Sequence, residues 1–158
     1  MKEIQLTQEK MTFVDHGDFE RLNQYRWYAH KYGNKYRAVR KAKNIHGKRM
    51  VLYMHREILN VPSNVQCDHI NGNGLDNRKE NLRACTHQQN MHNRKACHRN
   101  NKLGIKGVCW HGKAKKFNAQ IKINGDRLHL GYFNVMGDAD SAYRIAEEKY
   151  FGEYARVD

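Results

Sequence analysis

The side chains best suited to chemistry crowd into one short span. Residues 65–93 contain an adjacent Asp68–His69 pair and the loop Asn71-Gly72-Asn73-Gly74. Asp76-Asn77-Arg78, Glu80-Asn81-Leu82-Arg83, Thr86 and Asn90 follow. A carboxylate such as Asp68 is a hard oxygen donor that suits a divalent cation. An imidazole such as His69 has an ordinary pKa near neutrality, which suits a proton acceptor. Strand neighbours point to opposite faces, so the two share one site only at a bend or strand end, which the Asn-Gly-Asn-Gly loop permits. The bland alternative is that Asp68 caps a turn and His69 packs in a core.

The elements that must position this cluster can be read from hydrophobic period and turn chemistry. The first 54 residues read as short strands at Ile4–Thr7, Met11–Val14, Trp27–Lys31, Tyr36–Arg40 and Arg49–Met54. A short helix is expected over 17–24, with hairpin turns at Gly33-Asn34 and His46-Gly47. A helical piece begins near His55, with the lone Pro62 expected to end it. Near the C-terminus, Phe117, Ala119, Ile121 and Ile123 alternate with polar neighbours, Asn124-Gly125 marks a hairpin, and Leu128 and Leu130 continue on a return strand. Val108 and Trp110 supply a preceding strand. Ala139, Ala142, Tyr143, Ala146 and Tyr150 recur at helical spacing before Gly152, predicting one helix against one face of three antiparallel strands. The acids of that helix, Glu147 among them, are expected to face away from whatever docks on the sheet. The fold class expected is therefore α+β, built of small modules. These are a basic, mostly β region at 1–54, the chemical cluster at 55–93, a basic linker at 94–102, and a three-stranded sheet with its helix at 103–158.

Charge narrows the partner. The 158 residues carry 29 Lys and Arg against 16 Asp and Glu, a formal net charge of +13 with histidines neutral. Residues 21–56 and 81–125 contain no acid at all, and both stretches interleave cations with Trp and Tyr or Phe. Such a pattern points to nucleic acid. The length excludes barrel and dinucleotide-fold enzymes. The longest apolar run, Met50 to Met54, falls well short of the roughly 20 residues of a membrane helix. The mixed-charge start does not read as a secretory signal, so a cytoplasmic setting is expected, in a bacterial host or phage-infected cell. Cys67, Cys85, Cys97 and Cys109 lack the short spacing of a zinc knuckle and read as ordinary reduced thiols. No obligate protein partner is evident, which suggests a monomer or weak dimer.

The order and spacing of Asp68-His69-Ile70-Asn71-Gly72-Asn73, Asp76-Asn77-Arg78, Glu80-Asn81-Leu82-Arg83, Thr86 and Asn90 resemble the HNH nuclease motif of phage and intron-encoded homing endonucleases. Met54-His55-Arg56 resembles that family's upstream segment. The resemblance implies a ββα-metal site in which Asp68 and Asn90 hold one Mg²⁺ or Mn²⁺, His69 is the general base, and Asn81 braces the loop that orients it. His87 or His92 stays open as a ligand in place of Asn90. The C-terminal unit resembles the plant ethylene-response-factor DNA-binding domain through Lys106-Gly107-Val108, Phe117-Asn118-Ala119-Gln120-Ile121, Leu130-Gly131-Tyr132-Phe133 and residues 139–151. That likeness implies DNA contacts from Lys106, Cys109, His111, Lys116, Gln120, Lys122, Arg127 and His129. Together they imply a sequence-specific, divalent-metal-dependent endonuclease of the homing type that acts on double-stranded DNA and nicks one strand. The alternative is a non-cleaving, sequence-specific DNA-binding regulator.

Overall fold

The computed structural model describes residues 1–93 and 101–155, so Cys97 and most of the expected linker lie outside the described residues. The chain divides into two compact units, Met1–Met91 and His92–Arg156.

The first unit opens with a hairpin of β1 (Lys2–Gln5) and β2 (Met11–Val14), followed by α1 (His16–Asn23). β1 starts and stops earlier than its apolar pattern suggests. Thr7 is drawn out of the strand because its hydroxyl accepts from the Ala29 amide at 3.1 Å. Next comes an antiparallel sheet of β3 (Tyr28–Tyr32), β4 (Lys35–Lys43) and β5 (Arg49–Tyr53), in the order β3-β4-β5. β4 outruns the expected Tyr36–Arg40 because its second half is completed by β5, with Lys41 opposite Val51 and Lys43 opposite Arg49. α2 (Met54–Leu59) stops before Pro62. Asn60 adopts the left-handed conformation and returns its amide to the Arg56 carbonyl at 2.9 Å. A two-stranded ribbon of β6 (Gln66–His69) and β7 (Leu82–Cys85) then leads into α3 (His87–His92).

One core serves all of this. Ile4, Val14, Leu22, Trp27, Ala38, Met54, Ile58 and Leu82 pack together. The segments read from the sequence as 1–54 and 55–93 therefore share a single apolar interior. Met54 and Ile58, four apart on one helix face, reach that interior together. The indole of Trp27 is 2% exposed and donates to the Leu22 carbonyl at 2.8 Å, so its polar edge is satisfied inside the core.

The second unit is a sheet of β8 (Val108–His111), β9 (Lys116–Ile123) and β10 (Asp126–Phe133) in the order β10-β9-β8, packed on α4 (Met136–Phe151). Asn124 (φ 51°) and Gly125 (φ 106°) both take positive φ, as a two-residue hairpin turn demands. Ala119 and Ile121 bury against Ala139, Tyr143 and Ala146. Two helix residues depart from expectation. Tyr150 is exposed, while Glu147 is buried because it pairs with the Lys106 ammonium. Among the described residues, no helix is long and apolar enough to cross a membrane.

Truncating Trp27 removes the largest buried side chain of the shared core. Trp27→Ala is expected to lower the stability of the first unit by about 3–5 kcal/mol. Equilibrium urea unfolding followed by far-UV circular dichroism checks this, and a loss below about 1 kcal/mol would contradict the shared core.

Candidate active site

β6 ends at His69, and the chain turns at once, with the Gly72 amide donating to the His69 carbonyl at 2.8 Å. Asp68 and His69, each 7% exposed, therefore sit at the strand end that the sequence requires of them. The loop that follows is tied down at both ends by Asn81. Its Oδ1 accepts from the Asn71 amide at 2.9 Å, its Nδ2 donates to the Asp76 carbonyl at 2.8 Å, and its own carbonyl accepts from the Ile70 amide at 2.9 Å. The Arg78 guanidinium grips Asp76 through Nε and Nη2, each at 2.8 Å. These bonds hold the Asp76 carboxyl below the usual carboxylate range.

The N-terminal hairpin clasps the same loop from outside. The Phe13 amide donates to the Leu75 carbonyl at 2.9 Å, and the Asn77 amide donates to the Phe13 carbonyl at 2.8 Å. The Lys79 amide donates to Asp15 Oδ2 at 2.8 Å. Gly74 is the place where β4 presses closest, since a Cβ there would lie 2.4 Å from the Tyr36 carbonyl oxygen.

Asn77 fixes the histidine. Its Nδ2 donates to Thr12 Oγ1 at 2.7 Å, and the Thr12 hydroxyl donates onward to the Leu75 carbonyl at 2.7 Å. Asn77 can thus present only its amide oxygen to His69 Nε2, 3.3 Å away. This assigns the Nε2–H tautomer and leaves the basic lone pair on Nδ1. Burial pushes His69 below the ordinary histidine range, and the Arg37 charge acts the same way, while the Asn77 bond and the Asp68 and Asp76 charges oppose them. At neutral pH the ring is in its neutral, proton-accepting form.

His55 on α2 completes the pocket. Its ring meets that of His69 edge-on with centroids 5.0 Å apart. Burial, then the His69, Arg37 and Arg56 charges, lower it to about 3. Its Nδ1 is buried without a hydrogen-bond partner among the described residues.

Asp68 Oδ2 accepts from Arg83 Nε at 3.1 Å and Nη2 at 2.8 Å, the two residues standing opposite each other across the ribbon. Gln66 lies two residues before Asp68 and so shares its face of β6. Gln66 gathers α3 there: its Oε1 accepts from Asn90 Nδ2 at 2.8 Å, and its Nε2 donates to His87 Nδ1 at 3.0 Å. Among the described residues no group of three or more His, Cys, Asp or Glu is placed to hold a metal ion, and the expected pair Asp68 and Asn90 would offer a carboxylate and an amide oxygen. That set fits Mg²⁺, which keeps several waters and takes one or two protein oxygens beside substrate phosphate. His87 is engaged by Gln66, and His92 stacks on Phe151 at 3.6 Å. Cys67, Cys85 and Cys109 are free thiols. Burial raises Cys67 and pushes Cys85 up to about 11, so neither supplies a thiolate at neutral pH.

In the second unit, register puts His111, Lys116, Gln120, Lys122, Arg127 and His129 on the sheet face opposite α4, with Cys109. Lys106 stands apart from that set. Its ammonium is held by Glu147 and the His92 carbonyl, because a buried carboxylate requires a counter-charge.

Sequence reasoning singled out Asp68, His69, Asn81 and Asn90 but gave no role to Thr12, Arg37, His55, Gln66, Asn77 or Arg83. Gln66 was detectable from its two-residue spacing to Asp68. Thr12, 65 positions from Asn77, carried no signal.

Residues 60–92 match the family model described as HNH endonuclease. The chain carries an HNH endonuclease domain. That HNH domain spans β6, β7 and α3, while Thr12, Arg37 and His55 lie outside it. The chain is also 27% identical over 143 residues to an uncharacterized HNH endonuclease of Acanthamoeba polyphaga mimivirus, covering 90% of this chain and 72% of that protein. It is 26% identical over 96 residues to Protein 3.8 of Escherichia phage T7, covering 61% of this chain and 78% of that protein.

Folded His55 refuses a proton that the unfolded chain accepts below about pH 6.5. Its contribution to stability is therefore complete above pH 6.5 and drains as the pH falls from there toward about 3. His55→Phe keeps a ring against His69 but cannot titrate. The urea midpoint of this variant is expected to fall less between pH 7 and pH 4.5 than that of the parent, and parallel curves would count against the assignment.

Proposed function

We propose that this chain is a sequence-specific, divalent-metal-dependent DNA endonuclease of the homing type that nicks one strand. The observation that carries the reading is the neutral, tautomer-fixed imidazole of His69 beside Asp68 within an HNH domain. His69 accepts the proton of the attacking water, and Asn77 and Asn81 hold its ring and loop in place. Asp68 and Asn90 would hold Mg²⁺ or Mn²⁺, and when bound the ion supplies positive charge to the scissile phosphate and leaving oxygen. Arg83 orients the Asp68 carboxylate.

Target reading falls to the second unit. Its outer sheet face offers His111, Lys116, Gln120, Lys122, Arg127 and His129 as donors on a ribbon narrow enough for a major groove. The likeness to the ethylene-response-factor domain supports this assignment. Lys106 is left to brace Glu147. One active site per chain accounts for a nick rather than a double-strand break. The setting is the cytoplasm of a bacterial host or phage-infected cell.

Supercoiled plasmid or genomic-fragment DNA is the substrate for the test, with and without Mg²⁺. His69→Ala is expected to slow metal-dependent nicking by about 10²- to 10⁴-fold while duplex binding persists. Wild-type nicking rates in the variant would remove His69 from the reaction. Asp68→Asn is expected to raise the Mg²⁺ concentration needed for half-maximal nicking, and an unchanged requirement would remove it as a ligand. Replacing Lys122 and Arg127 with Gln should weaken binding and reduce its salt dependence by roughly 1 to 2 units of slope.

A further inference from the structure

We infer that the exposed Lys41–Lys43–Arg49 end of the β3–β4–β5 sheet is a second DNA surface, one that seats the backbone of the duplex and leads it to His69. The inference rests on the nuclease reading above and assigns that site its substrate track.

Register defines the face. On β4, Lys35, Arg37, Lys41 and Lys43 point to one side with the buried Val39 between the two pairs, and Arg49 joins them from β5 opposite Lys43. The other side carries Ala29 and Ala38 into the core. No acid interrupts residues 21–56, and although Val39 is buried at the middle of this side with Tyr28 and Tyr53 flanking it, the end formed by Lys41, Lys43 and Arg49 is exposed and cationic. The nearest acid in sequence, Glu57, pairs at 2.8 Å with Arg40, which belongs to the opposite side. Among the described residues, Lys41, Lys43 and Arg49 enter no ion pair, and all three are exposed. Cations left unneutralised on a flat sheet repel one another, an arrangement that a polyanion relieves.

The dimensions suit a duplex. Same-side residues on a strand stand about 7 Å apart, close to the spacing of phosphates along one DNA strand, so Lys41 and Lys43 can meet neighbouring phosphates while Arg37, about 14 Å from Lys41, lies on the loop side of the buried Val39. Tyr32, 66% exposed with the Arg37 guanidinium over its ring at 5.1 Å, adds a flat edge beside the row.

The row also ends where the chemistry is. Lys35 Nζ donates to the Gly72 carbonyl at 2.8 Å, in the loop that follows His69. Arg37 packs against the same loop, its Cγ 3.1 Å from where a Gly74 side chain would begin. Face and active site belong to the same compact unit, so a backbone lying along Lys43, Lys41 and Arg37 is carried toward His69 without any domain movement.

The test uses full-length protein bearing His69→Ala, so that DNA stays intact, and measures binding of a fluorescent duplex by anisotropy from 50 to 300 mM salt. Adding Lys41→Gln, Lys43→Gln and Arg49→Gln is expected to weaken binding at least tenfold at 0.1 M salt. The slope of log affinity against log salt should shrink by about 2 to 3 units, near 0.9 per lost phosphate contact. Arg49→Gln alone, on the edge strand, should show about one third of that change and serves if the triple variant melts early. Unchanged affinity and slope would overturn the inference. So would failure of the parent to bind any duplex at 50 mM salt, or a stronger preference of this same face for single-stranded RNA. Plasmid nicking by the protein with His69 intact separates the two readings: a parent that never nicks, yet binds with a slope that these substitutions flatten, fails as a nuclease while the surface stands.

Discussion

The site depends on a single side-chain amide. Asn77 accepts from His69 on one side and donates to Thr12 on the other, and its backbone amide is bonded to Phe13. An amide is asymmetric, so fixing its nitrogen against Thr12 fixes its oxygen against His69. Rotating Asn77 would set two acceptors against each other at Thr12 or two donors against each other at His69, and each such buried mismatch costs about 1–3 kcal/mol. The chain Leu75–Thr12–Asn77–His69 thus determines which imidazole nitrogen is basic, and it does so from a strand that the HNH domain does not contain.

That dependence explains the shape of the first unit. The ββα segment is too small to bury an interior of its own, and α3 contributes no buried residue. The N-terminal hairpin, α1, the β3–β5 sheet and α2 supply the core, and Leu82 anchors the ribbon in it. Around His69 they also supply a low-dielectric wall. Arg37 comes from this scaffold, and its charge acts on the histidine by keeping a proton off it.

Much of this was legible in the sequence where the signal is local. Met11–Val14 is a strand with the bounds its pattern gives, and the Asn124-Gly125 hairpin and the α4 cap at Gly152 follow from residues that tolerate positive φ. The Asp68–His69 pair at a strand end was legible for the same reason. What could not be read was long-range. β4 extends to Lys43 because β5 pairs with it, Thr7 leaves β1 to meet Ala29, and Lys106 turns from the outer face because Glu147 is buried nearby. Thr12 is an ordinary strand threonine until the loop arrives 65 residues later.

The separation between Thr12 and Asn77 also sets an order of assembly. Closing a loop of that size costs entropy that no local contact returns, so the loop that carries Asn77 is among the later parts of the first unit to settle. Its template, however, is made first, since β1 and β2 leave the ribosome before any residue of the HNH domain. The hairpin can wait, partly folded on α1, as a docking edge for a loop still being synthesised. Chain direction and topology thus cooperate, and the His69 imidazole acquires its fixed tautomer only when β2 and the loop that carries Asn77 have met.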